Sequence, residues 1–178
     1  VGQVISDEKI AELLAQDDQE IAYQKAIRLI GYRMRSESEI QRYLRDQGIS
    51  PEIIDEVSER LKKNGLVDDM SFAQMWVENR IEFRPRSHRM LSIEMQQKGI
   101  PQEIISQIIA EIPPNDSLAY KAAQKQVRKY QHLEWGDFRR KLSSYLARRG
   151  FSYGTIKPTV NQVWAELNPD EQVGITIE

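Results

Sequence analysis

Apolar residues in this chain recur at steps of three and four, the spacing that gives a helix one buried face. Ala22, Ala26, Leu29 and Ile30 mark a first such face; Ile40, Tyr43 and Leu44 a second; Ile53, Ile54, Val57 and Leu61 a third. Phe72, Ala73, Trp76, Val77 and Ile81 begin the series again. The polar positions between them punctuate helices. Ser36 with Glu39 three residues on reads as a capping box, in which hydroxyl and carboxylate each accept one orphan N–H. Gly48 stands where a helix ends in the left-handed conformation. Ser50-Pro51 supplies a cap and a first-turn proline, and Gly65 closes that helix. Asn64-Gly65 and the run Pro113-Pro114-Asn115-Asp116, with Asp116 as a capping residue, read as breaks. Ile10, Leu13 and Leu14 share a face and predict a short separate helix over Ser6 to Gln16. No alternation of apolar and polar residues occurs before the last few positions, so the expected fold is all-α.

The same series is written three times. LRDQGISPEIIDEV, MQQKGIPQEIISQI and LARRGFSYGTIKPT place Gly48, Gly99 and Gly150 at equal intervals of 51 residues. The first two copies align without a gap: Ala22 with Ala73, Arg33 with Arg84, Ser36 with Ser87, Leu44 with Met95, Val57 with Ile108. The third is looser but keeps Leu142, Leu146, Phe151 and Ile156 in register. A period of this length points to an array of helical units that bury their faces against their neighbours. The expected divisions are an N-terminal extension over 1–20, three-helix repeats over 21–68, 69–114 and 115–168, and an acidic tail over 169–178.

Composition changes the picture little. With 40% hydrophobic and 29% charged residues the chain reads as an ordinary folded protein. It has no cysteine, which removes disulfides, thiolate catalysis and cysteine metal sites, and agrees with a reducing, cytoplasmic setting. No apolar run reaches membrane-spanning length, and VGQVISDEKIAELL lacks the basic leader and apolar core of a secretion signal. Charge placement is more informative. The net charge is only −2, yet residues 116–157 carry ten basic side chains against three acidic ones, between an acidic start and an acidic end. Two readings stand: a surface aimed at an anionic partner, or a solvated face on Lys/Arg-rich helices.

Candidate chemistry is sparse. Asp68-Asp69 could hold a metal or serve as an acid pair, but the two histidines, His88 and His132, are far apart and no metal or phosphate motif occurs. One aspartate is expected to cap the helix that follows, the other to favour its positive end. Phe72 and Trp76 sit one turn apart and read as core. His88 reads as a surface or hinge residue, and His132 as a cation near a helix end. No nucleophile, base or cofactor loop is assembled, so neither enzyme nor cofactor is expected.

One combination is specific. Gly65-Leu66, Asp68-Asp69, Phe72-Ala73, Trp76-Val77 and Arg80, followed by Glu94-Met95, Lys98-Gly99 and Ile100, resembles the RecX family of regulators of the bacterial recombinase RecA. The stretch Ala22 to Ile40 resembles the preceding family element, and the likeness spans roughly residues 21–167. Ser87-His88 departs from the Gly-Pro usual there, and Met95 from a Leu. The resemblance implies three tandem three-helix repeats in an elongated curved array. It implies a non-enzymatic, monomeric protein that binds RecA on single-stranded DNA. Such a protein suppresses ATP hydrolysis, strand exchange and filament growth.

The charged side chains are then the candidates for partner binding: Arg28, Arg33, Arg35 and Arg42, with Arg45 beside them, in the first copy; Arg80, Arg84, Arg86 and Arg89 in the second. The third copy offers Lys121, Lys125, Arg128 and Lys129 at helical spacing, then Arg139 and Arg140 with Lys141, and Arg148 and Arg149. Guanidinium groups suit carboxylates and phosphates alike. A direct DNA-binding helical module is therefore the alternative, since short helices joined by glycine turns also describe helix-turn-helix units.

Overall fold

The computed structural model describes residues 6–169. Among them every regular element is a helix: α1 (Asp7–Tyr32), α2 (Glu37–Asp46), α3 (Pro51–Lys63), α4 (Asp69–Phe83), α5 (His88–Gln97), α6 (Gln102–Glu111), α7 (Asn115–Tyr130), α8 (Trp135–Ala147) and α9 (Tyr153–Leu167). They form three successive triplets, as the repeat requires. The acidic tail lies outside the described residues, apart from Pro169 at its start.

Two expectations about boundaries are corrected. The short N-terminal helix does not stop at Gln16; it is the opening of α1, which continues unbroken to Tyr32. Nothing between Gln16 and Ala22 could end a helix, since the intervening DDQEI contains neither glycine nor proline. Asp116 is not a cap. α7 starts one residue earlier with Pro114 at the cap position, and Asp116 lies in the first turn, where its charge still meets the positive helix end.

Serine hydroxyls cap α2, α3 and α9. Ser36 and Ser50 each accept a backbone N–H from three residues on, and Pro51 opens α3. Ser152 does the same for α9. Gly48 takes φ 76° after α2.

The chain divides into two compact units, one of Val1–Ala73 with Gln96–Ile104, the other of Gln74–Met95 with Ile105–Glu178. The division runs through the second repeat. In the first unit α1, α2 and α3 pack on one another around Ala22, Tyr23, Ala26, Ile40, Leu44, Ile54, Val57, Leu61 and Val67. In the second, α7, α8 and α9 pack together, with Leu118, Phe138, Leu142, Leu146, Val160 and Val163 buried. Phe138, Trp135 and Trp164 form an aromatic cluster there, with Trp164 lying 5.0 Å from Phe138 and 5.3 Å from Trp135.

Candidate functional site

Asp68 and Asp69 have separate tasks. Asp68 caps α4: its Oδ1 accepts from the N–H groups of Met70 (2.9 Å) and Ser71 (3.3 Å), and its Oδ2 from the Ser71 hydroxyl (2.7 Å). These bonds, the Ser71 hydroxyl first, hold its carboxyl below the usual range. Asp69 leaves its own helix and accepts from the backbone N–H of Glu37 at 2.9 Å, capping α2 of the preceding copy. Burial pushes the Asp69 carboxyl up, against the Glu37 N–H bond that pulls it down. The charge is not what the position needs. In the second unit Asn115, which opens α7, accepts from the N–H of His88 at 2.9 Å, and His88 stands one repeat after Glu37.

That pair of bonds belongs to a clasp used twice. In the first unit the Ser36 hydroxyl donates to the carbonyl of Lys98 at 2.6 Å, and Gly99 packs directly on Ser38. In the second unit the N–H of Ser87 donates to the carbonyl of Arg149 at 3.1 Å, and Gly150 packs on Ser87 and Met90. Ser36, Glu37, Lys98 and Gly99 recur 51 residues later as Ser87, His88, Arg149 and Gly150, while Asp69 and Asn115 match by place in the fold, each opening the next triplet. The glycine turn of one copy thus seats on the second helix of the copy before it, while the first residue of the next triplet caps that helix. Ser87-His88, the departure from the family pattern, is part of this seat: Ser87 caps α5, and His88 Nε2 donates to the Pro113 carbonyl at 2.7 Å. His88 is a half-buried strut rather than a surface or hinge residue.

The capping box at Ser36 is only half made. Ser36 accepts from the Glu39 N–H, but the Glu39 carboxylate turns to Arg33, 3.0 Å from both guanidinium nitrogens, and to Lys98 Nζ at 2.6 Å. Two cations at hand outweigh one backbone N–H for a carboxylate that is only 13% exposed. Burial raises the Glu39 pKa, but the hydrogen bonds and charges of Arg33 and Lys98 prevail and hold it at about 2, against an ordinary 4.5. A carboxyl depressed in this way stabilises the fold fully above its unfolded value and loses that contribution as pH falls from 4.5 toward 2. Glu39→Gln is expected to lower the urea midpoint at neutral pH by the equivalent of about 2 kcal/mol and to leave little difference near pH ~2. Urea titrations of both proteins at the two pH values check this.

A second buried carboxylate organises the other unit. Glu94 on α5 is 8% exposed. Its Oε2 accepts from Arg80 Nε at 2.6 Å and from Trp76 Nε1 at 3.1 Å, and Arg86 Nη1 lies 2.5 Å from Oε1. Trp76 and Arg80 are one turn apart on α4, so they share a face, and the Arg80 guanidinium lies 4.3 Å from the Trp76 ring. Three residues of the family-like pattern thus meet at one point. Phe72 is core as expected, but Trp76 is only half-buried and uses its indole N–H. Sequence reading gave Glu94 no role, because a lone glutamate in a helical pattern looks like a solvated position.

The candidate cations separate accordingly. Arg33, Arg80 and Arg86 are engaged by Glu39 and Glu94. Arg35 and Arg149 are half-buried, each with a buried Nε, and Arg149 lies 4.1 Å over the Tyr145 ring. Lys121 pairs with Glu82 at 2.7 Å and Arg140 with Asp137 at 2.7 Å, both on the surface, where such pairs contribute little. Arg28, Arg42, Arg45, Arg84, Arg89, Lys125, Arg128, Lys129, Arg139, Lys141 and Arg148 are exposed and make no ion pair among the described residues. Lys121, Lys125 and Arg128 share one face of α7, as their spacing predicts, and the charges of Lys121 and then Lys125 lower the Glu82 pKa.

Among the described residues no group of three His, Cys, Asp or Glu side chains could hold a metal ion. Nor is any helix of the described residues long and apolar enough to cross a membrane.

A helical fold of three repeated triplets, joined by a recurring clasp and most basic in its third copy, defines a tandem-repeat protein whose surface is rich in unpaired cations. Models of the RecX first, second and third three-helix domains match residues 22–61, 68–109 and 115–159 in that order. The chain belongs to the RecX family. Regulatory protein RecX of Chlorobium phaeobacteroides is 36% identical over 153 residues, covering 85% of this chain and 99% of that protein. Regulatory protein RecX of Geobacillus thermodenitrificans is 30% identical over 157 residues, covering 87% of this chain but 58% of the relative. The chain likewise spans 65% of the Listeria welshimeri relative, with 28% identity. The crystal structure of RecX from Lactobacillus salivarius has the same fold, with a TM-score of 0.69, 22% identity and coverage of 83% of this chain and 97% of that one. A crystal structure of a regulatory protein RecX gives a TM-score of 0.74 at 25% identity, covering 90% and 80%.

Proposed function

We propose that this chain regulates RecA, binding the RecA–single-stranded DNA filament and suppressing its ATP hydrolysis, strand exchange and growth. The observation that carries the reading is the match of all three RecX domains in order along the chain. The surface supports it. Cations left over from internal pairing occur in every copy and are densest in the third. Separate copies on one chain add weak contacts through effective concentration, so no single arginine need bind tightly. The protein acts in the cytoplasm, as a monomer, without a cofactor or chemistry of its own.

The test is RecA ATPase on single-stranded DNA. Wild-type protein is expected to suppress turnover at substoichiometric amounts. Lys121→Ala/Lys125→Ala/Arg128→Ala, which touches no buried side chain, is expected to require about tenfold more protein, the loss of a few steering charges. Undiminished hydrolysis at saturating wild-type protein removes the reading. Normal potency of the triple variant removes the α7 face from it.

A further inference from the structure

In the first triplet the seam between α1 and α3 is bridged. Arg60 of α3 donates to Glu20 of α1 at 2.7 Å and lies 3.7 Å over the Tyr23 ring, and Asn64 Nδ2 donates to the Tyr23 hydroxyl at 3.1 Å. The third triplet bridges its own seam with other residues. Tyr120 of α7 donates its hydroxyl to Glu166 of α9 at 2.8 Å, and Gln124 donates to the same carboxylate at 3.1 Å. In the second triplet the bridging positions have changed character. One period after Glu20, Tyr23 and Arg60 stand Ser71, Gln74 and Glu111, so the ring is gone and the cation has become an anion. Gln74 and Glu111 make no hydrogen bond or ion pair among the described residues.

A groove of about 260 Å³ opens there, between α4 and α6 and wholly inside the second unit. Val77 and Ile108, both buried, and Ile81 and Ile112, both half-buried, give it an apolar floor. Gln74, Glu78 and Glu111 stand exposed around that floor. Residues 74, 77, 78 and 81 share one face of α4, as their helical spacing requires. No lining residue is cationic. Glu78, like Glu111, makes no ion pair among the described residues, whereas the next acid on α4, Glu82, is already paired with Lys121 at 2.7 Å.

Size and charge narrow the occupant. The volume lies below the roughly 300 Å³ at which small-ligand sites begin, and suits an apolar side chain or two. Two unpaired carboxylates turn away nucleic acid. They also turn away the stretches at either end of this chain, since residues 1–20 carry six acidic side chains against one basic and residues 169–178 three against none. What complements an apolar floor edged by carboxylates is an apolar side chain with cations beside it.

We propose that the groove between α4 and α6 docks a basic segment of a protein partner: a Leu- or Phe-sized side chain enters between Val77, Ile81, Ile108 and Ile112, and flanking Lys or Arg groups pair with Glu78 and Glu111. The buried anchor supplies affinity, and the rim charges supply orientation and selectivity. The sign of this surface is opposite to that of the cationic faces described above. It therefore recruits a different chemistry and does not rest on the RecA reading.

The test uses the full chain alone and two fluorescently labelled peptides read by anisotropy. One carries two leucines a helical turn apart, flanked by lysines; the other is identical but with glutamates in place of the lysines. Wild-type protein is expected to bind the lysine peptide and not the glutamate one. Gln74→Tyr/Glu111→Arg, which installs two residues of the first triplet's bridge, is expected to bind the lysine peptide about tenfold more weakly, the loss of one buried apolar side chain and one ion pair. Glu78→Lys/Glu111→Lys, which changes exposed positions only, is expected to exchange the preference and bind the glutamate peptide. Helical circular dichroism confirms that each variant folds. Wild-type protein that fails to bind the lysine peptide overturns the proposal. So does binding that neither variant alters, which would place the peptide on acidic stretches elsewhere. Self-association of the wild type that Gln74→Tyr/Glu111→Arg abolishes would make a second copy the occupant, and overturns it too. The assay contains neither RecA nor DNA, so its failure leaves the filament reading in place.

Discussion

Glu94→Gln is expected to be among the most destabilising single changes in the second unit, at about 3 kcal/mol, because it removes the anion from between two guanidinium groups. Arg80 and Arg86 are themselves partly buried, with side-chain exposures of 21% and 29%, so water compensates each of them only in part. The amide would still accept from one donor, but it supplies no charge. The comparison that isolates the effect is Lys121→Ala, which breaks a surface pair of similar length and is expected to cost less than about 1 kcal/mol. Urea unfolding followed by tryptophan fluorescence checks both. A Glu94→Gln midpoint within error of wild type would show that the buried cluster contributes no net stability.

Gly99→Ala is expected to cost about 3 kcal/mol, where Gly48→Ala costs about 1. The two glycines have nearly the same left-handed backbone, φ 74° and φ 76°. They differ in what surrounds them. A Cβ on Gly48 meets nothing, whereas one on Gly99 would fall 2.2 Å from Ser38 Cβ and 2.3 Å from its Oγ. Backbone strain is common to both, so the difference measures the clasp between the first and second copies. Ser38→Gly in the Gly99→Ala background is expected to recover most of that difference, because it removes the atoms the new methyl would strike. Equal midpoints for the two alanine variants would mean that the turn does not seat on α2.

The repeat explains why so much of the architecture was legible. Helix faces, caps and glycine stops are local: each depends on residues within a turn or two, and the chain writes the pattern three times in register. Ser36, Ser50 and Gly48 behave as their neighbours in sequence dictate. The errors were also local in origin. No residue near Gln16 stops a helix, so α1 runs on to Tyr32, and Asn115 rather than Asp116 begins α7. The binding surface was less legible, because an arginine's availability depends on which carboxylate reaches it. Arg80 and Arg139 look alike in sequence. In the structure one is bound to Glu94, and the other lines an open groove.

By itself, then, the sequence determined the helical class, the triplet repeat, the left-handed glycines and the uneven charge, since these follow from side-chain chemistry acting over a few residues. Only the tertiary structure decided that Asp69 caps a helix in the preceding copy, that Glu39 abandons its box for Arg33 and Lys98, and that Glu94 gathers Trp76, Arg80 and Arg86. Each of these is a polar group deprived of water by residues distant in the chain. Burial makes an unmet charge or N–H costly, so the partner chosen is whichever one packing brings within reach.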